Sequence, residues 1–558
     1  MKKTLTTVLT LMALLAIATG AFADADTDAK IQAMEKRLQK LEINNAKDRV
    51  LWSGDLRVEV NSLTGEVDPY VDGMRLQALT YGTMFYTDPT VNPGFDPNVP
   101  FGPGDIDNFI GMNYSAFQAY SGVNRFPEVK DWVQFMMANN PNMGAMMQAY
   151  AQDAYRQGFK TDNSILYTTR LRLNMNAKVA ENVDFAGRLS MYKPWGASTQ
   201  TGVFNGQANT LNTDANWPGV PGDATLKVDR AYFNWKNIFD APLYLSLGRR
   251  PSTDGPPLHF RNDEMRGGTP MGTIIDMQFD GATLGYNFSD KTTVRACYGL
   301  GYESQYGNGS LNKEEALKDA HFFGFNIDAY TTEKMQIQTT FARAFDITDG
   351  FAGYIIMPND PVTGQPMPGP IVTRFSPSTN LGDFDIASLM LARRDGPIDW
   401  FVSGSWSGSH PVEGVTGPFG GLLCGPYDNP VEQNGSMYYI GARFNFNEEM
   451  TKLGLEWNKG SEYWFNFAPS QDDLIAPKTS TRGTVWEGYV THRINRRFVL
   501  KLSYIDYQFD YTGSGWHVGA PADLNVTDPA TGKKMAQIQG FPTYSRAGMV
   551  KLGFSARF

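Results

Sequence analysis

Cysteine and histidine are scarce in this chain, and the scarcity removes several functions at once. Two cysteines and five histidines in 558 residues exclude a disulfide scaffold and leave no Cys/His spacing suited to zinc or haem. HExxH, a Walker loop, a GxSxG elbow and CxxCH are all missing, so no catalytic centre can be nominated. The expectation is a protein that is not an enzyme, with no metal and no cofactor. Positive charge is also short: a net −9 argues against nucleic-acid binding, which usually needs a basic surface. Beyond the N-terminus no apolar run is long enough for a membrane-spanning helix. Cys297 falls mid-strand and Cys424 in a Gly-rich loop, and pairing between them stays open.

What is present begins with a leader. MKK, an apolar stretch and Ala21-Phe22-Ala23 form a positive n-region, a hydrophobic core and a small-x-small cleavage site, so residues 1–23 read as a signal peptide. Residues 24–50 follow a helical period. Ile31, Met34, Leu38 and Leu41 recur at spacings of three, four and three, the seam of a coiled coil. The alternative is an amphipathic helix packing on its own domain. Two heptads are marginal alone, so such a seam would reinforce a trimer made by other contacts.

From about residue 51 the period shortens to two. In RLRLNMNAKV (170–179) the apolar set alternates strictly with Arg170, Arg172, Asn174, Asn176 and Lys178. YYIGARFNF, VDFAGRLSMY, FFGFNIDAY and KLGLEWN repeat the pattern. A soluble sandwich also alternates. Strands of about ten residues, joined alternately by short turns and long Gly/Pro/Asp-rich segments, favour a transmembrane barrel. The expected fold is all-β, an antiparallel barrel of about sixteen strands over 51–558, with a long extracellular or lumenal insertion at 64–164. Bulges are expected near Gly281 and Ile505, where alternation slips. Strands can cross a bilayer only as a closed barrel, because unpaired backbone groups are costly in lipid. Trp400 and Trp406, roughly 20 Å apart on one strand face, fit two interfacial belts.

Placing apolar residues outward puts Arg57, Arg170, Arg172, Lys178, Arg188, Arg295, Arg443, Arg493, Lys501, Lys551 and Arg557 on the lumen wall, with Asp55, Glu59, Asp184, Asp328, Glu456 and Glu487 as the fewer acids. A hydrated lumen tolerates such charge where a dry core would not. The third long segment, GRRPSTDGPPLHFRNDEMRGGTPMG (248–272), concentrates Arg249, Arg250, Arg261, Asp263, Glu264 and Arg266 between Gly and Pro bends. The insertion contains methionine-rich stretches that read as short helices. Its acid-rich part (88–108) has oxygen ligands of the kind Ca²⁺ takes but no EF-hand spacing.

These features together resemble sixteen-stranded outer-membrane porins. In detail KPWG (193–196), GRRPSTDGPP (248–257) and RGGTP (266–270) resemble a porin-like family of metal- and sulfate-reducing delta-proteobacteria. The resemblance implies a Gram-negative outer-membrane location with both termini periplasmic, passive diffusion of small hydrophilic solutes or ions with mild anion preference, and a homotrimer. It implies that the third outer loop enters the lumen, its six named charged residues forming a pore constriction. It also implies contacts with outer-membrane lipid and lipopolysaccharide, and recognition of terminal Phe558 by the barrel-assembly machinery. The competing reading is a barrel plugged by 64–164 that serves as receptor, scaffold or sheath for an electron-transfer partner.

Overall fold

A computed structural model describes residues 34–37, 50–121, 143–196, 222, 224–278, 280–302, 318–348, 380–413, 420–425, 429–514, 518–540 and 542–558. The expected signal peptide lies outside them. So do Ile31, Leu38 and Leu41 of the expected seam; Met34 lies on a single helical turn and is exposed.

Sixteen antiparallel strands close into one barrel. They are β1 (Val50–Val67), β2 (Phe159–Ala180), β3 (Val183–Pro194), β4 (Lys227–Trp235), β5 (Leu243–Arg249), β6 (Asp280–Asn287), β7 (Thr293–Tyr302) and β8 (Ala320–Thr331). Then follow β9 (Met335–Thr348), β10 (Asn380–Asp395), β11 (Ile398–Pro411), β12 (Asn434–Phe446), β13 (Thr451–Gly460), β14 (Gly483–Arg493), β15 (Phe498–Phe509) and β16 (Arg546–Arg557). Each strand pairs with its sequence neighbours, and β1 closes on β16 from Asp55↔Arg557 to Glu66↔Arg546. Closure leaves no unpaired edge, as a bilayer requires. Short turns gather at one end, with Val50 and Phe558, and long segments at the other, which is called the mouth below.

The side-chain pattern is inside-out relative to a soluble protein. Phe323, Phe325, Ile440, Phe444, Leu453, Leu455, Leu502 and Leu552 point outward and are exposed. Their inward neighbours, such as Asn326, Asp328, Lys452, Glu456 and Lys551, are buried. Trp400 and Trp406 both lie on the outer face, their indole N–H groups donating to Asp395 and Asn434.

Two expectations about the strands need correction. Pairing is regular through Gly281 and through Ile505; register shifts fall elsewhere, including Asn61/Leu63 and Arg188/Leu189. The slip near Ile505 has another cause. Ile505, Tyr507 and Phe509 keep their inward register and pack on Leu474, Ile475 and Ala476. Nor do the cysteines pair. Both are free, and Cys297 Sγ accepts from the Thr283 hydroxyl.

The insertion is shorter than expected at both ends, because β1 runs to Val67 and β2 starts at Phe159. Among the described residues it holds four helices, α1 (Gly73–Thr87), α2 (Pro103–Met112), α3 (Tyr114–Ser121) and α4 (Met143–Asp153). They enclose their own core of Leu79, Phe85, Ile106, Ile110, Phe117 and Tyr150. Asp72 caps α1, and proline opens α2 at a position where its missing N–H costs nothing. Arg75 ties the bundle together through Asp107 and Asp153 at 2.5 and 2.6 Å. Burial opposes its charge, but the two carboxylates outweigh that and hold the guanidinium above its usual range. Tyr70–Asp72 forms a small sheet with Tyr155–Arg156 and, in parallel, with Gln537–Gln539 of the last long loop. The bundle therefore sits at the mouth. Its acids are occupied: Asp88 and Asp96 close local turns, Asp105 caps α2, and Asp107 binds Arg75. Among the described residues no cluster of His, Cys, Asp or Glu is arranged for a metal.

Candidate functional site

The lumen is where the charged residues converge, and among the described residues two long loops enter it. The first, residues 250–278, leaves β5 through Gly248, whose φ of +115° suits glycine. It runs down to Asp263 near the turn end and returns. Asp263 lies against three wall cations: Lys452 Nζ at 2.8 Å, Arg493 at 2.7 Å and Arg443 at 3.6 Å. Arg557 also donates to its backbone carbonyl. On the opposite wall Glu264 meets Arg170 and Arg172 at 3.4 and 3.7 Å. Asp254 faces Arg172, Arg188 and Arg230 between 3.4 and 3.6 Å. Arg266 bridges Asp328, which Arg295 shares.

The second loop, residues 461–482, was expected to extend outward, and this is a correction. Every residue from Trp464 to Arg482 is buried. Its upper part is apolar. Phe465 and Phe467 pack edge-on against Phe384 of β10, and Phe467 also meets Phe322 of β8. Its lower part is ionic. Asp472 binds Arg57 at 2.6 Å and also Arg170, while Asp473 takes Arg261 and Lys551 at 2.9 and 3.4 Å. Lys478 bridges Glu456 and Glu487 of the wall at 2.5 and 2.7 Å. The loops are joined by backbone bonds, with Asp276 N donating to Phe467 O and Phe467 N to Ile274 O. They are joined by charge as well, through Arg261 and Asp473.

Physics accounts for the arrangement. Carboxylates from the loops meet guanidinium groups on the wall, because an unpaired charge away from bulk water is costly. Aromatic residues at the mouth bury against inward Phe384 and share one core with Ile386, Met390 and, nearer the turn end, Phe401, each worth about 1.5–3 kcal/mol. The basic wall inferred from the sequence is thus largely neutralised by five loop acids, Asp254, Asp263, Glu264, Asp472 and Asp473.

Of the residues singled out in the sequence, Arg261, Asp263, Glu264 and Arg266 come together in the lumen. Arg57, Arg170, Arg172, Arg188, Arg295 and Arg443 face them from the wall. Arg249 stands apart, ending β5 and bridging Asp280 at 3.3 Å. Phe558 lies beyond β16 at the turn end, exchanging backbone hydrogen bonds with Gly54 while its ring covers that glycine. The sequence reading missed Asp472, Asp473 and Lys478. The signal was available in YWFNF and LIA, apolar runs too rich for a solvated loop.

On the inner face of β4–β7, near the turn end, the loops leave a polar cavity of about 330 Å³. Arg250, Arg295, Tyr244, Tyr232 and Asn234 line it, with Pro251 and Thr269 of the first loop as one wall.

Comparison with curated proteins finds no match. Among solved structures the chain is similar to an anion-selective porin from Comamonas acidovorans, at 9% identity and a TM-score of 0.41, covering 91% of this chain and 99% of that one. It is similar to OprB of Pseudomonas putida at 9% identity and 0.39, covering 92% and 96%. Similarity to OmpT, an outer membrane protein of Vibrio cholerae, is 12% identity and 0.37, covering 71% and 92%. At these scores the architecture rests on the strand pairing of this chain itself. A family model described as "Protein of unknown function (DUF3373)" matches residues 160–558. That span takes in all but the first strand, and the chain belongs to this family.

Proposed function

We propose that the protein is an outer-membrane channel for passive diffusion of small hydrophilic solutes or ions, with mild anion preference. The observation that carries this reading is the pair of ion-paired loops inside a barrel with an apolar exterior. They narrow a charged lumen and leave polar space beside β4–β7, where Arg250 and Arg295 supply positive charge. Such a channel needs only a hydrated path and a selective constriction, and no catalytic residue. In this reading the turn end and both termini face the periplasm, long loops meet lipopolysaccharide, Phe558 serves as the assembly signal, and residues 31–41 brace a trimer. In this reading the delta-proteobacterial group is supported by the sequence resemblance carried by KPWG, GRRPSTDGPP and RGGTP.

Reconstitution into planar bilayers tests the proposal. Stepwise conductance is expected, with a reversal potential favouring Cl⁻ in a KCl gradient; a folded, purified protein that never conducts would sink it. One observation favours a second reading, a sealed barrel acting as receptor, scaffold or sheath: the unbroken burial from Trp464 to Arg482. In that case current should appear only after residues 464–480 are removed, and a sheath should co-purify with a haem protein.

A further inference from the structure

Most cations of the lumen lie against a carboxylate; Arg250 does not. Its Nε donates to the Ser246 hydroxyl at 2.9 Å and one terminal nitrogen donates to the Thr283 hydroxyl. Its other terminal nitrogen has no hydrogen bond among the described residues. Arg295 is half committed. Its Nε donates to the Tyr244 hydroxyl at 2.7 Å, and Nη1 donates to Asn326 and Asp328 at 2.8 and 2.7 Å. Nη2 carries no bond among the described residues. Because Tyr244 accepts from Arg295, its own O–H proton points elsewhere. The Tyr244 ring is held in place by Gly285 on the neighbouring strand, where an added Cβ would come within 2.3 Å of the ring. All three groups border the 330 Å³ cavity. Its lining residues include the cations Lys236, Arg250 and Arg295 and no Asp or Glu. Two acids that meet its cations are shared: Asp184 lies against Lys236 at 2.5 Å, and Asp328 against both Arg266 and Arg295.

We infer that this cavity binds a small organic carboxylate. The one uncommitted terminal nitrogen of Arg250 and that of Arg295 are each charged donors, and bonds from charged donors to a carboxylate oxygen are the strong ones. The Tyr244 hydroxyl adds a third donor. The remaining lining is mixed: Tyr232, Pro242, Leu243 and Pro251 give a small carbon skeleton something to rest on, while Asn234, Lys236, Asn237, Thr269 and Asn287 offer polar contacts. Pro251 and Thr269 belong to the inward loop, so an occupied cavity also braces that loop against β4–β7.

The inference rests on the channel proposal only in setting the cavity beside the solute path. Binding and current are therefore measured separately. The full-length protein in detergent is titrated calorimetrically with benzoate, with inorganic phosphate as the comparison. Saturable binding of one benzoate per chain is expected. It should weaken about tenfold in Arg250→Gln and about threefold in Tyr244→Phe, as expected for loss of a charged and a neutral donor. Arg394→Gln, remote from the cavity, should leave it unchanged. A heat-dependent mobility shift on gels confirms that each variant is folded. No saturable benzoate binding by the native chain, equal binding by Arg250→Gln, or tighter binding of phosphate overturns the inference. Bilayer current without benzoate binding would leave the channel standing and remove this site; binding without current would do the reverse.

Discussion

The two loops inside the barrel reach similar burial by different means. Residues 250–278 set Asp254, Asp263, Glu264 and Arg266 each against an oppositely charged wall residue, and also bury Leu258, Met271, Ile274, Ile275 and Met277 in the core. Residues 461–482 are held at the mouth by Trp464, Phe465 and Phe467, and only lower down by Asp472, Asp473 and Lys478. Ion pairs at partly wet sites are directional and screened by salt, whereas aromatic packing is insensitive to salt and intolerant of gaps. The first loop is thus positioned by the wall, and the second fills it.

The largest effect should come from replacing residues 464–480 with a short Gly-Ser turn. It should raise single-channel conductance severalfold and lower the thermal midpoint, whereas the same replacement of 255–272 should enlarge the current less. Next in size is Phe467→Ala, which removes the ring that meets Phe322, Phe384 and Phe465. Chemical unfolding should report a loss of about 3–5 kcal/mol, independent of ionic strength. Asp263→Asn leaves Lys452, Arg443 and Arg493 facing a neutral amide and should cost roughly 3 kcal/mol. In contrast to Phe467→Ala, its cost should shrink as salt is raised. Equal salt response in the two variants would break the contrast between charge-held and packing-held loops.

The smallest effect concerns the helical cap alone. Burial pushes the Tyr150 phenol up to about 12, against the opposing effect of its hydrogen bond with the Thr83 hydroxyl. A phenol whose pKa is higher folded than unfolded favours the folded cap while protonated. That contribution is complete below about pH 10 and is lost as pH rises through about 12. Helical circular dichroism should therefore decline over this interval while the strand signal persists, and Tyr150→Phe should flatten the decline.

Much of the barrel was legible in the sequence. Strict alternation in RLRLNMNAKV and YYIGARFNF, with short turns alternating with long Gly/Pro/Asp-rich segments, points to about sixteen closed strands. The charged third loop was legible because its arginines and acids had no other economical place. The second loop was not, since period-two reasoning assigns every inward position to polar residues. Where Phe384, Ile386 and Tyr507 point inward, that rule fails, because the loop replaces water as their neighbour. The same failure made the stretch around Ile505 resemble a bulge. Helices in the insertion were readable from their methionine-rich composition, but their separate core depends on Arg75 reaching Asp107 and Asp153, contacts no local pattern announces.

The uneven filling of the barrel has an electrical consequence. From β9 to β12 the interior is largely hydrocarbon, with Phe384 against Phe465 and Phe467, Phe401 against Phe260, and Ile386 and Met390 in the same core. Beside β4–β7 it is polar and open. A weakly polarisable half next to a strongly polarisable half focuses field lines into the latter. An imposed transmembrane voltage would then fall most steeply across the short stretch that contains Arg266, Asp328, Arg295 and Arg250, and would act on those charges before any others.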